Sequence, residues 1–200
     1  MNWSKRIGGT LSVRGNEWPV LSLMLLNFML LLGNQTILRS LNTGLFLGAF
    51  PPSAYPWYFI AESVLTFTLS MGYSVWVLGR LDRRSENLGL LLIFVLVLLG
   101  GRMLLLTGQP WVYFTLPMIT DSLLGLLIIQ TWALYADCVD SRQAKRLFPL
   151  VGVGGTCGAI LGGGMTLSLV SVLGTANLIF VSVLLLSLIA LTTTVLMTFF

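Results

Sequence analysis

The sequence predicts an all-α membrane protein built from six transmembrane helices. Hydrophobic residues make up 56% of the 200 residues and charged residues only 9%, far from the composition of a soluble domain. Six apolar stretches reach the length of roughly 20 residues that a spanning helix needs. They are continuously apolar rather than alternating, which excludes the strands of a transmembrane barrel.

The predicted helices follow one another along the chain after a polar, basic segment, residues 1–17. They lie near Trp18–Leu38, Trp57–Leu78, Asn87–Leu106, Trp111–Tyr135, Leu147–Val170 and Asn177–Phe200. Helices 1 and 4 carry most of the polar residues, helix 2 opens on interfacial aromatic residues, and helix 5 is rich in glycine. Helices 3 and 6 are almost entirely hydrocarbon. We therefore divide the chain into an N-terminal segment, 1–17, and a six-helix domain, 18–200.

Polar, Gly-rich or Pro-rich connections separate the six helices. They are Ser40–Pro56, Thr107–Pro110 and Gly174–Ala176 on one side, and Gly79–Glu86 and Asp137–Arg146 on the other. The first contains Pro51 and Pro52, which mark turns, so it is predicted to be non-helical.

The basic residues predict the orientation. Nine of the eleven lie before helix 1, between helices 2 and 3, or between helices 4 and 5, which places these segments and both termini in the cytoplasm. The candidate functional residues of the inner connections are Asp82, Arg83, Asp140, Arg142, Lys145 and Arg146. We expect a multi-pass protein of a bacterial-type inner membrane. The positive charge is explained by topology, so no nucleic-acid partner is expected.

Few residues could support catalysis or metal binding. The chain has no His and only two Cys, so neither a metal site nor a disulfide framework is predicted. No nucleophile with an adjacent base is visible, so we expect neither an enzyme nor a cofactor.

Polar and charged residues within the spans are the candidates for a substrate or ion pathway: Asn34, Gln35, Arg39, Glu62, Arg102, Asp121 and Gln130. A single charge near the bilayer centre costs on the order of 3 kcal/mol or more, so it needs a partner or water. For Arg39 and Arg102 we favour a structural role in which they pair or reach toward the headgroups. For Asp121, predicted near mid-membrane, a structural pair and a functional carboxylate both stay open.

The polar helices 1 and 4 each open a triplet of helices. That pattern is typical of two three-helix repeats whose leading helices line a cavity.

Helix 5 carries Gly154, Gly158 and Gly162 at four-residue spacing on one face. Missing side chains at such spacing let another helix approach closely. A phosphate-binding loop is excluded because the required Lys and Ser or Thr do not follow these glycines. The sequence leaves open whether the packing helix belongs to this chain.

Two segments resemble the ATP:ADP translocase family of nucleotide transporters and its bacterial relatives. They are Asp140-Ser141-Arg142-Gln143-Ala144-Lys145-Arg146-Leu147-Phe148, followed by Gly152-Val153-Gly154-Gly155, and Leu38-Arg39-Ser40 with Asn27-Phe28 upstream. The resemblance implies one half of a major facilitator fold, whose full form has twelve helices. Asn42-Thr43 stands where the translocases carry a Lys-Asp pair, so ATP and ADP do not follow as substrates.

We therefore expect half of a secondary transporter, an antiporter of solutes or nucleotide-like compounds, with a cavity between helices 1 and 4. Its partners would be the bilayer, a second six-helix half and a small-molecule substrate. Because the chain ends inside an apolar run, at Phe200, we expect a fragment of a longer protein. The alternative is a non-transporting membrane subunit that docks in a larger assembly through the glycine face of helix 5.

Overall fold

The computed structural model describes residues 17–76 and 82–198. They form six long α-helices and two short 3₁₀ turns, and no strand occurs among them. The helices are α1 (Trp18–Ala49), α2 (Tyr55–Trp76), α3 (Arg83–Leu105), α4 (Pro110–Asp137), α5 (Ser141–Leu173) and α6 (Leu178–Met197). The all-α prediction is thus confirmed for these residues. The predicted cytoplasmic segment and most of the loop after helix 2 fall outside them.

Five of the helices, α1, α3, α4, α5 and α6, are long and apolar enough to cross a bilayer. The chain is accordingly a multi-pass integral membrane protein. Helix α2, with 22 residues, is not among these five, and it includes Glu62, three tyrosines and several hydroxyl side chains.

Helix α1 is longer than predicted. It continues to Ala49, so Arg39 and Asn42 lie within the helix, and the predicted non-helical segment Ser40–Pro56 shrinks to residues 50–54. The added turns are stable because Leu41, Leu45 and Phe46 are buried against neighbouring helices. Pro51 then ends the helix by holding Phe50 in an extended conformation.

Helix α5 also begins earlier than predicted, at Ser141 rather than near Leu147. Asp140 and Gln143 form a reciprocal capping box, which satisfies orphan backbone N–H groups at the helix start. The predicted inner connection Asp137–Arg146 is therefore reduced to residues 138–140. Arg142, Lys145 and Arg146 lie on the first turns of α5 and not in a loop.

Helix α1 is the centre of the bundle and packs on α4, α5 and α6. Asn27 joins three helices by donating to Thr192 and Thr193 of α6 and accepting from the Tyr135 hydroxyl of α4 at 2.7 Å. Helix α3 packs on α4 and α6, and α2 packs on α4. Only Tyr58 of α2 is fully buried among its described side chains, so α2 is the peripheral helix.

Candidate functional site

Asp121 is the centre of a polar cluster that joins three helices. Its Oδ1 accepts a hydrogen bond from the Asn42 amide of α1 at 2.9 Å. Its Oδ2 accepts one from the Tyr58 hydroxyl of α2 at 2.8 Å. Both carboxylate oxygens are therefore bonded to neutral donors, which hold the side chain in one orientation.

Asn42 and Tyr58 are themselves fixed by buried contacts. The Asn42 amide also donates to the Thr120 hydroxyl at 3.0 Å, next to Asp121 on α4. The Tyr58 ring packs against Phe46 of α1 and Phe114 of α4, with ring centroids 4.8 and 6.0 Å away. This packing holds the Tyr58 ring in place beside Asp121.

We expect Tyr58→Phe to destabilise the protein, because it leaves one Asp121 oxygen without its donor while preserving the packed ring. A hydrogen bond to a charged group contributes about 1.5–3 kcal/mol, and this sets the expected loss in the free energy of unfolding. Denaturant titration of detergent-purified protein measures it. The matched control is Tyr55→Phe, which removes a hydroxyl paired only with the neutral Thr43. Equal losses in the two variants would contradict the special role of the Tyr58–Asp121 bond.

Arg39 and Glu62 lie one helical turn from Asn42 and Tyr58, on α1 and α2 respectively. Arg39 attracts both Glu62 and Asp121, and the two carboxylates repel each other. Neither Arg39 nor Glu62 makes a hydrogen bond or a close ion pair with any described residue. The cluster thus holds one guanidinium and two carboxylates, and only Asp121 is bonded in place.

Arg39 also lines an open cavity of about 480 Å³ on the side of the bundle. The other lining residues are Gln35, Thr36, Ser40 and Thr43, all on the same face of α1. The sequence predicts a cavity between helices 1 and 4, whereas the residues that line this one belong to α1 alone. Every one of these side chains can form hydrogen bonds, and none is an apolar residue suited to lipid.

Five of the seven predicted pathway residues do not line this cavity: Glu62 and Asp121 belong to the cluster described above, and the other three lie elsewhere. Asn34 and Gln130 are buried in the core, 0% and 4% exposed, and the Asn34 amide has no hydrogen-bond partner among the described residues. Arg102 donates to Asn177 at 3.0 Å and ties α3 to the turn before α6. Arg102 therefore has a structural partner of its own. Among the described residues, Arg39 is the arginine whose positive charge attracts the Asp121 carboxylate.

The glycine face of α5 packs against α1 of the same chain. A Cβ added at Gly33 would lie 3.1 Å from the Gly158 carbonyl oxygen, and a Cβ added at Gly158 would run into the backbone of Met29. Gly162 faces the backbone of Gly33, and Gly154 faces Leu25. This answers the question that the sequence left open, because the helix that approaches these glycines is α1.

The predicted cytoplasmic ends of α1 and α5 are joined by an ion pair. Arg146 donates to Glu17 at 2.9 Å, and Gln143 donates to the same carboxylate at 3.4 Å. Arg146 and Gln143 also border a surface hollow of about 770 Å³ with Asp140 and Arg142. Lys145 is exposed on the same turns. Asp82 is exposed at the start of α3, and the side chain of Arg83 lies outside the described residues.

Asn42 and Tyr58 are the site residues that the sequence did not predict. Asn42 lies in the segment Ser40–Pro56, which the sequence predicts to be a connection. Tyr58 is one of the aromatic residues at the start of helix 2, where the sequence predicts contact with the membrane interface. A usable signal exists in the spacing: Arg39 and Asn42 are three residues apart, and Tyr58 and Glu62 are four apart. Each pair therefore shares a helix face.

The chain has no counterpart among the proteins compared with it. No protein-family model matches it, and neither a curated protein nor a solved structure shows significant similarity to it.

Proposed function

We propose that this chain is one half of a secondary transporter of the major facilitator type, related to the nucleotide translocase branch. A second six-helix half covers the polar face of α1, and a small-molecule substrate moves between the halves by alternating access. The observation that carries the proposal is the cavity lined by Arg39, Gln35 and Ser40 within a membrane-spanning helix. Polar and charged side chains at such positions normally face water or protein rather than lipid.

Helix α2 is the sixth span in this proposal. Its contacts with α4 run in the same direction along both helices, since Tyr58 meets Asp121 and Thr66 approaches Ser122 and then Gly125. This order of contacts, along a helix that is long enough to cross, supports the proposal that α2 crosses as well. Both termini are then cytoplasmic, as the Lys and Arg distribution predicts.

The packing pattern supports two three-helix repeats. If α1 is exchanged with α4, α2 with α5 and α3 with α6, the α1–α5 contact becomes the α4–α2 contact, and both contacts are present. The same exchange turns the α1–α6 contact into the α4–α3 contact. The contacts of α1 with α4 and of α3 with α6 are unchanged by it. This two-fold relation is the arrangement expected of a repeat-built transporter half.

The alternative is a docking subunit that uses the glycine face of α5. That face is covered by α1 of the same chain, so it offers no free surface to a partner helix. A docking subunit would still have its polar α1 face sealed against another protein, without access for water. Water access therefore separates the two functions.

The test is labelling of Ser40→Cys with a membrane-impermeant thiol reagent, with Cys138 and Cys157 replaced by alanine. Ser40 is exposed within the cavity, so we expect rapid labelling in membranes. The matched control is Leu167→Cys, 81% exposed on the apolar surface of α5 and expected to face lipid. If Ser40→Cys labels no faster than Leu167→Cys, the face is sealed and the transporter proposal fails.

A further inference from the structure

We infer that the α1 cavity binds a small solute with a single negative charge, through the guanidinium of Arg39. This inference rests on the proposed function and names the class of its substrate. It follows from which hydrogen-bonding groups of the cavity are already in use.

The hydroxyl groups of the cavity already take part in hydrogen bonds within the protein. Thr36 donates to the Leu32 carbonyl and Ser40 donates to the Thr36 carbonyl, while Thr43 pairs with the Tyr55 hydroxyl. The N–H groups of Arg39 and the amide of Gln35 make no hydrogen bond with any described residue. The main unused donor of the cavity is therefore the planar guanidinium of Arg39, whose paired N–H groups suit a carboxylate or a phosphate.

The two carboxylates near Arg39 leave its guanidinium N–H groups free. Asp121 attracts Arg39, but both of its oxygens are occupied by Asn42 and Tyr58. Glu62 attracts Arg39 without a close ion pair. A ligand oxyanion can thus bond to the guanidinium directly without first displacing a hydrogen-bonded carboxylate.

The same two carboxylates limit the charge of the ligand. Asp121 accepts hydrogen bonds at both oxygens, so its negative charge already stands against the charge of Arg39 and the cluster has no surplus positive charge before a ligand arrives. A single negative charge placed on Arg39 gains direct bonds that offset the repulsion by Asp121. A polyanion such as a nucleoside triphosphate would place its further charges near Glu62 and Asp121, where like charges disfavour one another. The cluster therefore selects a monoanion.

The test measures the thermal unfolding of the chain in phosphatidylcholine nanodiscs at pH 6. Acetate and inorganic phosphate, mostly singly charged at that pH, serve as probes, and ATP serves as the polyanion. For a ligand about 100-fold above its Kd we expect Tm to rise by about 5–10 °C. The rise should vanish in Arg39→Gln and persist in Arg84→Gln, which removes an exposed Arg at the start of α3. Arg39→Lys, which keeps the charge without the paired N–H groups, should bind at least tenfold more weakly.

Three results would overturn the inference. Besides the absence of any rise with the monoanions, they are an undiminished rise in Arg39→Gln or in Arg39→Lys, a rise with ATP as large as with the monoanions, and a rise with phosphatidylglycerol alone. The last result would assign Arg39 to a lipid headgroup. Failure of the inference stays distinct from failure of the proposed function. Rapid labelling of Ser40→Cys without any anion effect keeps the transporter and rejects the monoanion, whereas absence of labelling rejects the transporter itself.

Discussion

Gly158→Leu is expected to prevent assembly of the bundle. A side chain at this position would run into the main chain of Met29, which cannot turn aside as a flexible side chain can. Overpacking against side chains alone costs about 1–3 kcal/mol, and displacement of the central helix α1 costs more. We therefore expect aggregation, or a loss of at least about 3 kcal/mol of stability, which is a large part of the total for a typical domain.

The control for this variant lies on the same helix. Gly164 is exposed, and a Cβ there would meet nothing within 4 Å. Gly164→Leu should keep the yield, the monodispersity in detergent and the Tm of the parent protein. Size-exclusion chromatography and thermal unfolding of the two variants side by side give the comparison. A monodisperse, equally stable Gly158→Leu protein would show that α1 and α5 do not cross at these glycines.

Asp121→Asn is expected to leave the protein inserted and folded but to slow transport strongly. Asparagine has the same shape, and its one carbonyl oxygen can still accept from Asn42 or Tyr58. The change removes the negative charge of Asp121, which opposes a bound anion. At an effective dielectric constant of about 20, two unit charges closer than about 12 Å repel each other by more than ~1.4 kcal/mol, which is tenfold in affinity. The anion should bind more tightly and leave more slowly.

Two measurements check this prediction in proteoliposomes that hold the chain together with its second six-helix half. The exchange of radiolabelled acetate or phosphate should fall by about tenfold or more, while the apparent affinity for the same anion rises by a similar factor. Loss of one accepting oxygen lowers Tm in either case, but if the carboxylate is half of a structural pair, adding Arg39→Gln restores much of that loss. Full transport by a stable Asp121→Asn protein would show that the carboxylate has no part in the pathway.

The sequence predicted the helices because continuous apolar runs leave the backbone no alternative in lipid. It underestimated α1 because Gly44, Gly48 and the nearby prolines resemble a connection, whereas the burial of Leu45 and Phe46 keeps the chain helical. Tertiary packing determines the helical conformation of this segment, and the local composition does not reveal that packing.

The site was predictable only in part, for a related reason. Charge within an apolar run identified Arg39, Glu62 and Asp121, since charges there are rare. Asn42 and Tyr58 carry no charge, and their role depends on three helices meeting at one point. The glycine spacing predicted a close helix contact. The identity of the partner, α1, required the folded arrangement, because a stripe of glycines specifies proximity and not which helix approaches.

In the proposed transporter, the polar face of α1 opens alternately to the two sides of the membrane. The most direct measurement is the sidedness of Ser40→Cys labelling by an impermeant reagent, compared in right-side-out and inside-out vesicles. The account predicts labelling from both sides, with a saturating monoanion slowing both reactions in parallel. Labelling from one side only, unaffected by any monoanion, would contradict it.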